Sequence, residues 1–414
     1  MMIEGFMFLY NLCLRFLFFL FLPLLFIIFR KNQFYQRIKI KELDIDNTIW
    51  IHASSVGEVN AVKPLVNRLI EQNPRMNFLM TCMTKTGFDT AKKLNNKLVI
   101  YPFPFDLKSI MKRAFKIFKP KMIILVETEI WPNMISIAHK KKVPVVIVNG
   151  RISDKSFPRY RLSRLFWKII YKKISLVNAQ SEIDAERFRY FGCQNVQNAN
   201  NLKFSVKLPK YDGAELRKAW RFAFNDFVIA VGSSRPGEEK LIRDVCENIK
   251  NTIPRLKVII VPRHIYRIDE VISLFNREEY SLFSEGYQDR MYTIVDEMGI
   301  LPQVYAFSDI AVIGGSFLNF GGHNPIEAAI YQKPVIIGPF HYSCFDIVKK
   351  FQKNSGIMIS NSHKLAEDIL YLAENIERRI SIGNNAYQVI EDNKNSLDIH
   401  FQNIQDLINL RMTG

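Results

Sequence analysis

Cysteine is scarce in this chain: five in 414 residues (Cys13, Cys82, Cys193, Cys246 and Cys344), with no CxxC pair. An odd, scattered set excludes a disulfide framework and a structural zinc site, and it fits reduced thiols in a cytosolic compartment. No strand-like run is followed by GxGxxG, and GxxxxGK[ST] is absent, so dinucleotide-dependent dehydrogenases and P-loop ATPases lose their main warrant. Internal repeats and low-complexity tracts are missing too. Acidic residues are in deficit, 40 Asp and Glu against 57 Lys and Arg, which leaves a formal net charge of +17. Such an excess predicts attraction to something anionic, whether nucleic acid, anionic lipid or a phosphorylated substrate.

What the first thirty residues lack is polarity. Residues 6–14 are apolar apart from Tyr10 and Asn11, Arg15 interrupts, and residues 16–29 run without a polar group, although Pro23 kinks them. A bilayer core needs about 20 apolar residues as helix, a length reached here only by tolerating Arg15, whose long side chain snorkels toward one headgroup layer. A small-x-small cleavage site is absent before Arg30, Lys31 and the basic string QRIKIKE, which argues against a signal peptide. We therefore expect an uncleaved membrane anchor over 1–31, with the remainder on the cytoplasmic side by the positive-inside tendency. A helix lying flat in the interface is the competing expectation.

From residue 48 onward short β-branched runs alternate with helical periodicity. The first half offers strands at 48–52, 77–81, 98–100, 122–126, 143–148 and 176–179, and Val59, Val62, Val66 and Leu69 mark a helix from Glu58 to Gln72. The pattern pauses at KLPKYDG and resumes with strands at 227–231, 257–261, 293–295, 309–313 and 334–337. Alternation of this kind predicts an α/β chain of two doubly wound parallel sheets, divided as 32–208 and 209–414. In such sheets ligands gather at the carboxyl ends of the strands.

The loops after those strands carry the chemistry. In the second half GSSRPGEE supplies Arg235, VPRH supplies Arg263, and GGHNPIEAA supplies Asn324 as a helix N-cap, Pro325 at the first helical position and Glu327 at the third. Arginine forks and a glycine-lined helix start suit a nucleotide phosphate, and Glu327 suits vicinal ribose hydroxyls. In the first half HASSVGE ends in Glu58, VETEIWPN holds Glu127 and Glu129, and VNGRIS follows. Carboxylates from two strand ends can divide the work of base and electrostatic stabiliser. A basic, aromatic stretch over 159–173, read as one amphipathic helix, suits an anionic membrane surface.

Together these strings, with MTKTG, NNLKF, DEMG and YAFSDIAVIGGS, resemble in order and over residues 48–350 the 3-deoxy-D-manno-octulosonic acid (Kdo) transferases. GGHNPxE combined with ETExWPN carries the resemblance most specifically. It implies a GT-B glycosyltransferase: two Rossmann-like domains facing a cleft, the N-terminal one for the acceptor, the C-terminal one for CMP-Kdo, with a membrane-anchor helix ahead. It further implies inverting transfer of Kdo to the 6'-hydroxyl of the lipid A precursor lipid IVA at the cytoplasmic face of the inner membrane. Anionic lipids of that membrane would be partners, and nucleic acid would not. The catalytic base falls on Glu58 and transition-state stabilisers on Glu127 and Lys203. CMP contacts fall on Pro262, Arg263, Met298, Gly299, Ile300, Asn324, Pro325, Ile326 and Glu327, with neither metal nor cofactor required. The chain departs from the family pattern at Ser234 and Arg235, where Thr-His is common, at Asn200, which precedes Asn201 and the LKF run, and at Ser205, where Asp is usual. Two other classes stay open beside it, a nucleotide-sugar 2-epimerase of the same architecture and a non-catalytic anionic-lipid-binding protein.

Overall fold

The computed structural model describes the backbone of residues 2–28 and 30–412 and the side chains of residues 5–28 and 34–410. The chain divides into two units, one formed by Met1–Val206 with Asn395–Gly414 and the other by Lys207–Lys394. Each is built on its own parallel sheet. The first sheet comprises β1 (Thr48–His52), β2 (Asn77–Cys82), β3 (Leu98–Pro102), β4 (Pro120–Val126), β5 (Val145–Gly150), β6 (Leu176–Ala179) and β7 (Val196–Asn198), in the order β3-β2-β1-β4-β5-β6-β7. The second comprises β8 (Phe227–Ser234), β9 (Leu256–Pro262), β10 (Tyr280–Leu282), β11 (Tyr292–Ile294), β12 (Ile310–Ile313), β13 (Val335–Ile337) and β14 (Met358–Ile359), in the order β10-β11-β9-β8-β12-β13-β14. Eleven of the fourteen strands coincide with the periodic runs. The three that were not anticipated, β7, β10 and β14, are edge strands of two or three residues, too short to show a period.

Central strands are buried on both faces, which is why they read as continuous apolar runs. Successive side chains still part to opposite layers: Trp50, Leu79, Ile123 and Leu125 pack on one face of the first sheet, Ile49, Ile51, Met80 and Ile124 on the other. In each sheet the chain winds outward from its first strand and returns to that strand's other side, so the winding reverses between β1 and β4 and again between β8 and β12. Reversal of this kind opens a crevice at the carboxyl ends of the two strands.

Two elements differ from expectation, and a third, the N-terminal apolar stretch, bends where Pro23 predicts. The helix Ser396–Met412, assigned by sequence to the second domain, belongs with the first unit, where Phe401, Ile404 and Ile408 join the core packed by the helix Val56–Gln72. The basic segment forms two helices, Phe157–Leu162 and Arg164–Tyr171, because Ser163 leaves the helical region at φ −112°, ψ 33°. The N-terminal apolar stretch forms Met2–Leu20 and Leu22–Ile28, bent by 69° just ahead of Pro23, whose ring nitrogen has no hydrogen for Phe19 O. Among the described residues no single helix is long and apolar enough to cross a membrane, while this bent pair meets the length and composition together. The pair lies against the first unit: Tyr10 donates to Asp106 Oδ2 at 3.1 Å, and Phe18 packs on Phe105 with centroids 5.3 Å apart.

Candidate active site

β1 ends at His52, and Ser55 caps the helix Val56–Gln72, its Oγ accepting the Glu58 N–H at 3.4 Å. Glu58 reaches back: Oε2 accepts the Ser54 N–H at 2.7 Å and Oε1 accepts the Ser55 hydroxyl at 2.9 Å. That is a variant of the capping box in which the glutamate takes the N–H of the residue before the cap, and it fixes the carboxylate in place at the β1 end of the crevice. Burial pushes the Glu58 pKa up to about 7, against the pull of the Ser54 and Ser55 hydrogen bonds, and the charges of Glu127 and Glu129 push the same way. The helix start by itself would hold Glu58 ionised, but the opposite effect wins. A helix N-terminus is worth about 0.3–1 kcal/mol to an anion, whereas a rise from 4.5 to about 7 corresponds to roughly 3 kcal/mol favouring the acid.

Glu127 follows β4, β1's neighbour across the switch, and adopts a left-handed backbone at φ 57° with its N–H on Val148 O at 2.9 Å. A left-handed conformation costs a non-glycine residue about 1–2 kcal/mol, a strain typical of functional turns. Lys203 lies in the short 3₁₀ turn Leu202–Ser205, which packs on the helix Val56–Gln72 and on the C-terminal helix. A buried polar chain fixes that turn. Asn149 Oδ1 accepts the Leu202 N–H at 2.9 Å, the Asn149 N–H donates to His400 Nε2 at 3.0 Å, and His400 Nδ1 donates to Ser396 O at 2.8 Å. Glu58, Glu127 and Lys203 are thus brought to one end of the first sheet, the end where the β1, β4 and β5 strands finish.

In the second unit the loops after β8, β9 and β12 meet. Both glutamates of GSSRPGEE are structural. Glu238 accepts the N–H groups of Arg235, Gly315 and Phe317 at 3.0, 2.6 and 2.9 Å, tying the β8 loop to the β12 loop. Glu239 is fully buried and takes a bidentate Arg267 at 2.9 and 3.2 Å. Gly232 is required by space, because a Cβ there would sit 1.8 Å from the Tyr305 hydroxyl. Pro262 closes β9 opposite Ser234, and the N–H of the exposed Arg263 donates to Ser234 O at 3.0 Å. Gly299 turns at φ 87° between Met298 and Ile300, leading into the helix Leu301–Phe307, which packs on the helix Ile326–Ala329.

Asn324 Oδ1 accepts the Ile326 N–H at 3.1 Å, as a cap should. The helix it starts begins one residue later than expected, at Ile326, and is a single turn, so its dipole contributes little. The positive potential comes from side chains instead. Arg235 Nη1 donates to His264 Nε2 at 2.8 Å and its guanidinium lies over Phe320, while Arg235 Nε and His323 Nε2 are buried without a partner. Burial, then Arg263 and Arg235, push His323 down to about 4, so it is a neutral group beside two cations. Burial raises the Glu327 pKa and Arg263 opposes that rise, which ties this pair electrostatically. An unmet guanidinium N–H of Arg235 beside Arg263 suits an anionic ligand. Among the described residues no group of three or more His, Cys, Asp or Glu is placed so that it could hold a metal ion. A DxD spacing does occur, at Asp44 and Asp46, but these precede β1 and so lie at the amino end of the sheet, away from Glu58.

Sequence reasoning passed over His52 and Asp106. Asp106 is buried and accepts the Asn133 and Met134 N–H groups at 2.9 Å each, capping the helix Pro132–Lys140 that follows the Glu127 loop. Its string, PFPFD, looks like any surface turn, and only the distant helix reveals the role.

Residues 29–206 match the family model described as 3-Deoxy-D-manno-octulosonic-acid transferase (kdotransferase). The chain is 37% identical over 373 residues to a bifunctional glycosyltransferase/methyltransferase of Fusobacterium nucleatum, covering 86% of this chain and about half, 54%, of that protein. It is 30% identical to the 3-deoxy-D-manno-octulosonic acid transferase of Haemophilus influenzae (87% of this chain, 86% of that one) and 32% identical to that of Rickettsia bellii (86% of each). A glycosyltransferase structure from Rickettsia africae aligns with TM-score 0.57 at 12% identity over 88% of this chain and 99% of that one. A UDP-GlcNAc 2-epimerase structure from Neisseria meningitidis aligns with TM-score 0.54 at 14% identity over 87% and 100%. At such identities the two structures speak for the fold alone.

Proposed function

The chain belongs to the 3-deoxy-D-manno-octulosonic acid transferases, and from that premise we propose that it moves Kdo from CMP-Kdo to the 6'-hydroxyl of the lipid A precursor with Glu58 as general base. The observation that carries this reading is the half-buried Glu58, held at the β1 end with Glu127 near enough to raise it, and with a pKa near neutrality. A base works best when its pKa lies near the operating pH, because it is then both available and strong enough to take a proton. Glu58 removes the hydroxyl proton as the oxygen attacks C2 of Kdo, and the bond from C2 to the CMP phosphate breaks with its electron pair leaving on phosphate. Attack from the face opposite CMP inverts C2.

Charge then develops in two places. Glu127 counters the positive charge of the oxocarbenium-like transition state, and Lys203 offsets negative charge on the donor. CMP is held by Pro262 and Arg263, by the turn of Met298, Gly299 and Ile300, and by Asn324, Pro325, Ile326 and Glu327, with Arg263 facing the leaving phosphate. In this reading base, stabilisers and anion clamp are all groups of the chain itself. The N-terminal helices expose Phe8, Phe16 and Phe19, and the adjoining basic helices expose Leu162 and Leu165 beside Arg159, Arg161 and Arg164. That combination supports seating on the anionic cytoplasmic face of the inner membrane.

The test is transfer from CMP-Kdo to tetraacylated glucosamine disaccharide bisphosphate, read by product mass. Glu58→Gln should lower the rate by about 100-fold or more while CMP still raises the melting temperature as in the wild type. Near-normal transfer by the variant would remove Glu58 as base, and stabilisation by UMP in preference to CMP would remove the donor.

A further inference from the structure

His52 ends β1 fully buried, its ring on Phe103 with centroids 4.0 Å apart and edge-on to Trp131 at 6.1 Å. Nδ1 stands 2.9 Å from Thr81 O, and a carbonyl oxygen only accepts, so Nδ1 carries a proton. Thr81 Oγ1, 3.1 Å from the same nitrogen, already receives the Trp50 indole N–H at 2.9 Å and points its own hydrogen at Ile51 O, 3.3 Å away. Nothing on that side can donate to the ring. Nε2 is buried, has no hydrogen bond of ordinary geometry, and faces Glu129 Oε2 at 3.4 Å. The same Oε2 accepts the Trp131 indole N–H at 3.2 Å, so the Glu129 carboxyl is clamped between two aromatic side chains.

With Nδ1 protonated, a neutral His52 would turn the Nε2 lone pair toward Glu129. Were Glu129 ionised as well, two bare acceptors would face each other where water does not reach Nε2, and an unmet buried acceptor is costly. A single additional proton removes the conflict, whether it resides on Nε2 or on the carboxyl. We propose that His52 and Glu129 share one proton, and that His52 is a positioning residue which thereby sets how much negative charge Glu129 presents to Glu58. The groups surrounding the pair are Glu58 on the helix Val56–Gln72, Glu127 on its own loop, Cys82 at the end of β2, Tyr160 on the helix Phe157–Leu162, and Arg37, which donates to Phe103 O at 2.8 Å and to Met83 O at 2.6 Å. Glu58 senses Glu129, since the Glu129 charge is one of the causes that raise it. The consequence for transfer rests on Glu58 as base, whereas the shared proton does not.

Two measurements separate those layers. In the full-length protein with ¹⁵N-labelled histidine and ¹³C-carboxyl-labelled glutamate, assigned through His52→Asn and Glu129→Gln, the pair at pH 7 should show either an imidazolium His52 or a protonated Glu129. A neutral His52 beside an ionised Glu129 would overturn the shared proton, whatever the enzyme's substrate proves to be. In the transfer assay, His52→Asn keeps an amide donor for Thr81 O but leaves Glu129 charged and unmatched. Its acidic limb of kcat/KM should move up by about one pH unit, and His52→Asn/Glu129→Gln should restore it. A merely structural His52 would lower kcat or stability without moving the limb, and an unmoved limb sinks the positioning role. Should His52→Asn fail to fold, His52→Gln supplies the same comparison, and the spectra of the unsubstituted protein stand on their own.

Discussion

At the scale of the residue, Glu58 shows a conflict between stability and chemistry. Its folded pKa of about 7 lies above the ordinary carboxylate value of 4.5, so the folded state prefers the protonated form. The stability that Glu58 permits is therefore full below about pH 4.5 and is lost as pH rises through 7. Glu58→Gln keeps the shape and an oxygen for the Ser54 N–H, so it should stabilise the protein at pH 8 by about 2 kcal/mol after allowance for solvent at a partly exposed site. The gain should fade toward pH 4.5. Urea melts of both proteins at the two pH values test this, and an equal difference at both would mean that the carboxylate is not strained by burial. The same titration predicts that kcat/KM in the unsubstituted enzyme falls about tenfold per unit below pH 7, since the protonated form is no base. Glu58 was legible as a residue because its string is local. Its pKa was not, because burial and the Glu127 and Glu129 charges come from segments about 70 residues away.

At the scale of the element, the helix Ser396–Met412 shows what a linear reading loses. Strand runs and their order could be read off periodicity, and the strand-end loops followed from them, yet nothing in the string of this helix says that it crosses back to the first unit. Beside the apolar contacts of Phe401, Ile404 and Ile408, one link is a buried imidazole. His400 accepts the Asn149 N–H at the end of β5 and donates to Ser396 O, and burial pushes its pKa down to about 4, so it stays neutral while making both bonds. His400→Ala would strand the Asn149 N–H in the interior and open a cavity, at a cost of about 2–4 kcal/mol. Asn149 also orders the Lys203 turn through Leu202. The variant should therefore lose transfer rate beyond what its lowered stability explains, measured well below its melting temperature, while CMP binding stays as it was. Unchanged kcat in a destabilised variant would show that the C-terminal helix only supports the fold. The depressed pKa adds a sign: the contribution of His400 is present above about pH 6.5 and is lost as pH falls toward 4.

At the scale of the whole molecule, the membrane seating proposed above would draw on a net charge of +17 and on an exposed apolar stretch at the N-terminus, which obey different laws. Apolar burial is insensitive to salt and to headgroup charge, whereas attraction to an anionic surface is worth about 1 kcal/mol per basic residue and fades as the Debye length shrinks. Arg159, Arg161 and Arg164 sit on the short helices beside the N-terminal pair, where Tyr10 packs on Phe166 at 5.7 Å. Neutralising all three (Arg159→Gln, Arg161→Gln, Arg164→Gln) should weaken partition into vesicles containing anionic lipid by about 100-fold at low salt. Partition into purely zwitterionic vesicles should not change, because the helices Met2–Leu20 and Leu22–Ile28 remain. Deleting residues 1–28 should have the converse signature, loss on both vesicle types with the salt dependence retained. A triple variant that binds anionic vesicles like the parent would place the basic excess elsewhere, and equal losses on both lipids would mean that the substitutions disturb the apolar surface and not its charge.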